Sequence, residues 1–251
     1  DLGINKGVVY LLIAALGSIL LAFYVNRKVR GRTRVVSGPQ TVVEGLYEFA
    51  HDQIAPSLGT KMFSRYMPYI AAIFVFVLLL NLTSFVPLPL NTHHNIGDLD
   101  YLYSFGLYAV TSNIYCTATL ALMTFFVYHF EGVRAHGLFG YLGTWRGGQK
   151  GPISILIFAI EALSNIFLKP LSLALRLFAN MLSGHILILL MLGLAGILAG
   201  SLLPTLIAQI GGGVLALAFY LFEMVLIAGL QAFIFAILSA IYIGGAAEEH
   251  H

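Results

Sequence analysis

The sequence predicts an all-α polytopic membrane protein of about six helices, one an amphipathic surface helix and two of them long, tilted and joined as a hairpin. Three observations carry this. Hydrophobic residues make up 59% of the 251 and charged residues only 10%, against about 25% charged in soluble domains. The mean hydropathy is +0.90. Apolar runs long enough to span a bilayer alternate with polar segments, and cations collect in every second one. An ordinary soluble enzyme is excluded. The 26 Gly and 8 Pro follow no triplet period and Cys116 is the only cysteine, which removes a collagen, a disulfide scaffold and a Cys-based zinc module. A formal net charge of +2 gives no reason to expect nucleic acid as a partner.

The first helix is expected over 8–25, about the length that crosses a ~30 Å hydrocarbon layer. It runs into Arg27, Lys28, Arg30, Arg32 and Arg34, a flank typical of the cytoplasmic side and equally readable as a solvated basic linker. No small-residue cleavage site follows it, so it does not read as a signal peptide. Over 40–56, Val43, Leu46, Tyr47, Ala50 and Ile54 share one helical face and Glu44, Glu48, His51 and Asp52 another. That is the pattern of an amphipathic helix lying on a membrane or a partner, with an acidic face that needs only solvent. A third helix over 66–85 stops where Pro87 and Pro89 cannot continue it. A loop with Asp98 and Asp100 but no Lys or Arg follows, then a fourth helix over 103–130, then a Gly-rich loop with Arg134, Arg146 and Lys150.

From Ile155 to Ile243 the formal charges are only Glu161, Lys169, Arg176 and Glu223, with His185 beside them. Glycines and Pro204 over 196–213 should divide this stretch into helices over 153–196 and 204–244. Each is longer than a bilayer needs at ~1.5 Å per residue, so each is either two spans or one steeply tilted helix. Ten of the 13 Lys and Arg residues fall on one side if there are five crossings, with the N-terminus outside and the C-terminus inside. Splitting both long helices fits the charges equally well. All of 1–251 then reads as a single membrane domain.

Arg176 lies deep in this run with no acid within a turn or two. An arginine at the centre of a membrane helix costs at least ~2.5–3.5 kcal/mol on insertion scales, so it must meet protein or water. Backbone carbonyls or snorkelling are the ordinary answers. Its helical neighbours Ser172, Ala179, Asn180 and Ser183 are all small or polar, which lets another helix approach a fixed charge. Ala228, Ala232, Ala236 and Ala240 form a similar ridge beside Gln231, and simple helix packing explains such ridges too. His185, nine residues after Arg176, points to the opposite side about 13 Å further along. Glu223 on the second long helix is its natural mate, and an acid with an imidazole inside a membrane suits a proton relay. A lone histidine satisfied in a core is the plainer reading. Glu161 is far enough from Arg176 to line a second aqueous path. Lys169 is an interfacial anchor or a member of the Arg176 stripe, and Pro170 should kink the helix there. Asn81 and Thr83 are either polar lining or turn caps. His93 and His94 lack a third ligand, so no metal is expected, and nothing calls for a cofactor. His129 and His185 leave a b-type haem protein as a rival. A secondary transporter is another, though no corresponding halves are visible.

The segment Leu171-Ser-Leu-Ala-Leu-Arg-Leu-Phe-Ala-Asn-Met-Leu-Ser-Gly-His185 resembles the arginine-bearing helix of subunit a of the F-type ATP synthase. Gln231-Ala-Phe-Ile-Phe-Ala-Ile-Leu-Ser-Ala-Ile-Tyr242 resembles that family's last helix, and Glu248-Glu-His-His251 resembles the tail of its bacterial members. The likeness covers nearly the whole chain. It implies a stator subunit whose helical hairpin lies against a rotating c-ring, with Arg176 facing the ring carboxylate and Asn180 and Gln231 near it. It places His185 and Glu223 on an outer half-channel and adds Ser183, Glu161 and Tyr242 to the proton path. The implied partners are the c-ring, the peripheral-stalk b subunits, the catalytic head, which carries the nucleotide chemistry, and the lipid bilayer. The implied location is a bacterial plasma membrane, with the mitochondrial inner membrane as the alternative, and the proton is favoured over sodium. Thr111 stands where many relatives carry an acid. The intervals from Glu223 to Gln231 and from Glu161 to Pro170 are each one residue longer than the family pattern. One residue turns a side chain by about 100°, so either a π-bulge absorbs the surplus or these two acids point elsewhere.

Overall fold

The computed structural model describes residues 6–30, 38–86, 109–147, 151–201 and 205–247, and these are almost entirely helical, with no strand among them. Five helices are long and apolar enough to cross a membrane. The first, α1, spans Lys6–Arg30. Leu12, Leu16, Ile19, Leu20 and Phe23 are exposed along it, while Tyr10 and Ala14, one turn apart, are buried. That is how a helix sits when lipid, not protein, covers most of its surface. Tyr10 donates its hydroxyl proton to the Val86 carbonyl at 2.8 Å, tying α1 to the far end of the next helix.

That helix, α2, runs unbroken over the 46 residues Gly38–Thr83. It passes straight through 57–65, which separated the expected helices 40–56 and 66–85. The polar composition there marks where one helix leaves the apolar region, not where it ends. Glu48 and Asp52 on its first half are exposed. A 3-10 turn, Val110–Ser112, precedes α3, Ile114–Thr144. Asn113 caps α3 by accepting the Tyr115 N–H at 3.0 Å, so α3 starts at Ile114 and continues past the expected end at 130. Helix persists beyond Phe130 because the acid there is answered: Glu131 is buried, accepts from the Tyr66 hydroxyl, and stands 3.7 Å from Arg65 and 3.8 Å from Arg134. Gly137, at φ 72°, bends the helix in a conformation that favours glycine, and the Tyr141 ring comes down on Gly132.

The apolar core contains two long helical rods. The first is α4, Pro152–Leu163, a π-helical turn, Ser164–Leu168, and α5, Lys169–Ser201; the second is α6, Thr205–Phe222, a π-helical turn, Glu223–Ile227, and α7, Ala228–Ala247. Neither rod is interrupted within these bounds, so each is one long helix and not two spans. α5 packs along α6, and α7 packs chiefly against α2 and α3. Ile70, Val77, Leu80, Tyr128, Leu177, Phe235 and Ile243 meet in the core. Ala228, Ala232, Ala236 and Ala240 are fully buried, so this ridge is a packing surface that admits α2. Asp98, Asp100, His93, His94, Lys150 and the 248–251 tail lie outside the described residues, as do 103–108.

The close approach at Gly132 has a measurable consequence. A Cβ there would run into the Tyr141 ring, whereas one at Gly143 would meet nothing within 4 Å. Overpacking of this kind costs about 1–3 kcal/mol. Gly132→Ala therefore lowers the Tm of the purified protein while Gly143→Ala does not, and equal Tm values in a calorimetric scan would refute the packing.

Candidate functional site

Around Arg176 the first rod has two faces. Leu173, Ala174, Leu177 and Met181 are buried and hold α5 against the bundle. Ser172, Arg176, Ala179 and Ser183 are exposed on the other side. Ser172 and Ser183 donate their hydroxyls to carbonyls of their own helix, Lys169 and Asn180, at 3.0 and 3.1 Å. The stripe is therefore smooth and locally satisfied. No acid lies within ion-pair reach of Arg176 among the described residues. Its charge points away from this chain.

The two rods are antiparallel, and their polar side chains meet in register. Asn180 donates to the Gln231 side-chain oxygen at 2.5 Å. Eleven residues earlier on the first rod and eleven later on the second, the Lys169 ammonium lies 5.5 Å from the centre of the Tyr242 ring. In the other direction His185 Nδ1 stands 3.3 Å from Glu223 Oε1 and 3.0 Å from the Met181 carbonyl oxygen. His185, Glu223, Asn180 and Gln231 thus come together on one side of Arg176, and Glu161, Lys169 and Tyr242 gather on the other.

The π-helical turns account for this register. One lies between Glu223 and Gln231, the other between Glu161 and Pro170, the two intervals that carry one residue more than expected. In a regular α-helix residues eight apart diverge by about 80°; a one-residue bulge returns them to within roughly 20°. Glu223 and Gln231 accordingly face the same way and are both buried, at 3% and 1% exposure.

Members of each group border a cavity. One, of about 310 Å³, is lined by Asn180, Ser183, Gly184, Phe219 and Glu223. Neither carboxylate oxygen of Glu223 has a well-aligned hydrogen bond among the described residues. A buried acid of this kind is costly unless a proton or water serves it. The Phe85 ring lies 5.3 Å from the His185 ring and accepts, through its backbone carbonyl, the Tyr220 hydroxyl at 2.6 Å. The other cavity, of about 290 Å³, is lined by Glu161, Asn165, Lys169, Tyr128, Tyr141 and Trp145. Asn165 bridges that cluster: its Nδ2 donates to Glu161 Oε1 at 3.1 Å and its Oδ1 accepts from Lys169. Thr111 is buried and donates to Asn81 Oδ1 at 3.1 Å. Asn81 is thus an interior bridge, reaching the Ala228 carbonyl at 3.4 Å, and the Thr83 hydroxyl bonds back to Leu80. His129 packs with Phe125 and Tyr141, in surroundings different from those of His185.

Asn165, Tyr128 and Gly184 were not singled out from sequence. Asn165 carried a usable signal, since it stands one turn from both Glu161 and Lys169 in an otherwise apolar run. Tyr128 carried none, because its partner is on another helix. Gly184 matters through space: a Cβ there would overlap the Glu223 carboxylate, while one at Gly193 would meet nothing within 4 Å. Gly184→Ala should destabilise the purified protein by about 1–3 kcal/mol, and the loss should vanish in a Glu223→Ala background. Denaturant titration of the two single variants and the double variant checks this. Additive losses would show that the glycine is not there for the acid.

A family model described as ATP synthase A chain matches residues 8–244. The ATP synthase subunit a of Chlorobium phaeobacteroides (strain BS1) is 33% identical over 100% of this chain and 68% of its own length. That of Rubrobacter xylanophilus is 36% identical over 100% of this chain and 88% of its own. That of a Nocardioides species is 33% identical, with 100% and 84% covered. With the all-helical fold, five membrane-capable helices and the arginine-bearing rod already in place, these likenesses mean that the chain belongs to the subunit a family of F-type ATP synthases and is an integral membrane protein.

Proposed function

We propose that this chain is the stator of proton translocation in a rotary ATP synthase. In this reading it works as one membrane domain and offers two aqueous half-channels to a ring of c subunits, with Arg176 between them. The observation that carries the reading is the order of features along the first rod: a polar cavity around Glu161 and Lys169, then exposed Arg176, then a second, mainly apolar cavity that Asn180, Ser183 and Glu223 border with polar groups. Protons enter from outside through the cavity bordered by Glu223, Ser183 and Asn180, with His185 beside Glu223 and Gln231 bonded to Asn180. There they reach a carboxylate on the ring. The protonated carboxyl is neutral and turns into lipid. It meets the second path, lined by Glu161 with Tyr242 beside it, from the far side, gives up its proton, and is drawn as an anion to Arg176. The guanidinium favours the ionised ring site next to it and repels a proton moving directly between the paths. A driving force of about 2.3 kcal/mol per charge per 100 mV then becomes rotation.

The same reading assigns the partners: the c-ring on the Arg176 face, peripheral-stalk b subunits and, through the complex, the catalytic head. The bacterial sources of the relatives and the positive-inside distribution of Lys and Arg support a bacterial plasma membrane with the Glu161 cavity toward the cytoplasm. Family membership sets aside the haem and secondary-transporter rivals.

Two experiments test the proposal. Arg176→Ala should abolish ATP-driven acidification of inverted membrane vesicles while the complex still assembles; normal pumping in that variant would refute the role. Exchanging His185 and Glu223 should reduce proton conduction less than changing either one to leucine. If His185→Leu conducts normally at every pH tested, the relay assignment is wrong.

A further inference from the structure

The π-helical turn at Ser164–Leu168 leaves one backbone group unserved. Its last hydrogen bond carries the Lys169 N–H to the Ser164 carbonyl. In an α-helix that N–H would serve the carbonyl of Asn165. Continuing the π pattern would require the next donor from Pro170, which has no N–H. The Asn165 carbonyl therefore has no donor in its own helix, and it is buried. Tyr128, on α3 and 1% exposed, donates its hydroxyl to that carbonyl.

The same turn sets the geometry of the cavity. It brings Glu161 and Lys169, eight residues apart, to within roughly 20° of one line, so that the Asn165 side chain can bond to both. Tyr128 also borders the cavity, and its ring meets the Tyr242 ring with centres 5.9 Å apart.

We propose that Tyr128 is a positioning residue for the inner proton path: by occupying the carbonyl that the π-helical turn leaves free at Asn165, it holds the turn that aims Glu161, Asn165 and Lys169 into one cavity. The proposal rests on the reading of that cavity as the inner path. Tyr128 passes no proton in this scheme. It fixes the backbone from which the path's side chains project.

The test uses the whole ATP synthase complex in liposomes, with passive proton flux measured while the pH is varied separately on each side. Tyr128→Phe keeps the ring and removes only the donor. It is expected to lower the flux roughly three- to tenfold, the scale of one lost hydrogen bond, and to alter the dependence on inner pH while the dependence on outer pH stays that of the parent. Glu161→Gln is the companion variant. If Glu161→Gln alters the inner profile and Tyr128→Phe does not, the positioning role falls and the inner path stands. If Glu161→Gln leaves the inner profile unchanged, the reading of the path falls and takes the proposal with it. If Tyr128→Phe changes both sides alike, its effect is general and the proposal is overturned. A second background guards against poor folding. Pro170→Ala supplies the missing backbone N–H, which in the π pattern falls to the Asn165 carbonyl. Tyr128→Phe should then lower the flux less than it does in the parent, and an equal loss with and without Pro170 would overturn the role.

Discussion

A permanent positive charge on a membrane helix demands an answer, and the helix cannot supply it. Arg176 carries that charge, and holding it among hydrocarbon costs at least ~2.5–3.5 kcal/mol. Lys169 and the serines on its stripe satisfy themselves within their own turns. The buried residues Leu173, Leu177 and Met181 hold the opposite face so firmly that the guanidinium cannot rotate inward. No described residue of the chain supplies its compensation, which is why a partner carboxylate lies at the centre of the proposed function.

Serving that partner requires two long helices in strict register, and the π-helical turns make the register possible. Glu223 would point about 80° away from the Gln231 line if the extra residue were carried as regular helix. The bulge absorbs it, keeps the acid beside His185, and leaves Gly184 as the clearance into which the carboxylate fits. A glycine and a bulge on facing rods are thus two halves of one fit.

The sequence revealed this site unevenly, for physical reasons. Arg176, His185 and Glu223 stood out because ionisable groups are rare and costly in an apolar run, so each needs a reason. The surplus residue in both intervals was countable, but counting alone could not tell a bulge from a rotated side chain. That choice depends on packing around the turn, including a hydroxyl on a different helix. The alanine ridge shows the reverse limit. Small residues at i+4 steps mark close approach without naming the neighbour, and here the neighbour is α2. Helix ends were the least legible, since composition records the water boundary while Asn113, Gly137 and the buried Glu131 cluster decide where helix begins, bends and continues.

Separation of the two cavities follows from the same rods. Lys169 and Asn180, the nearest cavity-lining residues on either side of Arg176, are eleven residues apart, about 16 Å along the helix. No hydrogen bond spans that distance. The intervening inward residues Leu173, Ala174 and Leu177 are apolar and buried, and the outward stripe carries a fixed cation between Ser172 and Ala179. A proton crossing the interval within this chain would have to pass either a dry core or a like charge. In the proposed mechanism the remaining course is to leave the chain on a neutral carrier and return at the other cavity, so directionality needs no moving part in the stator itself.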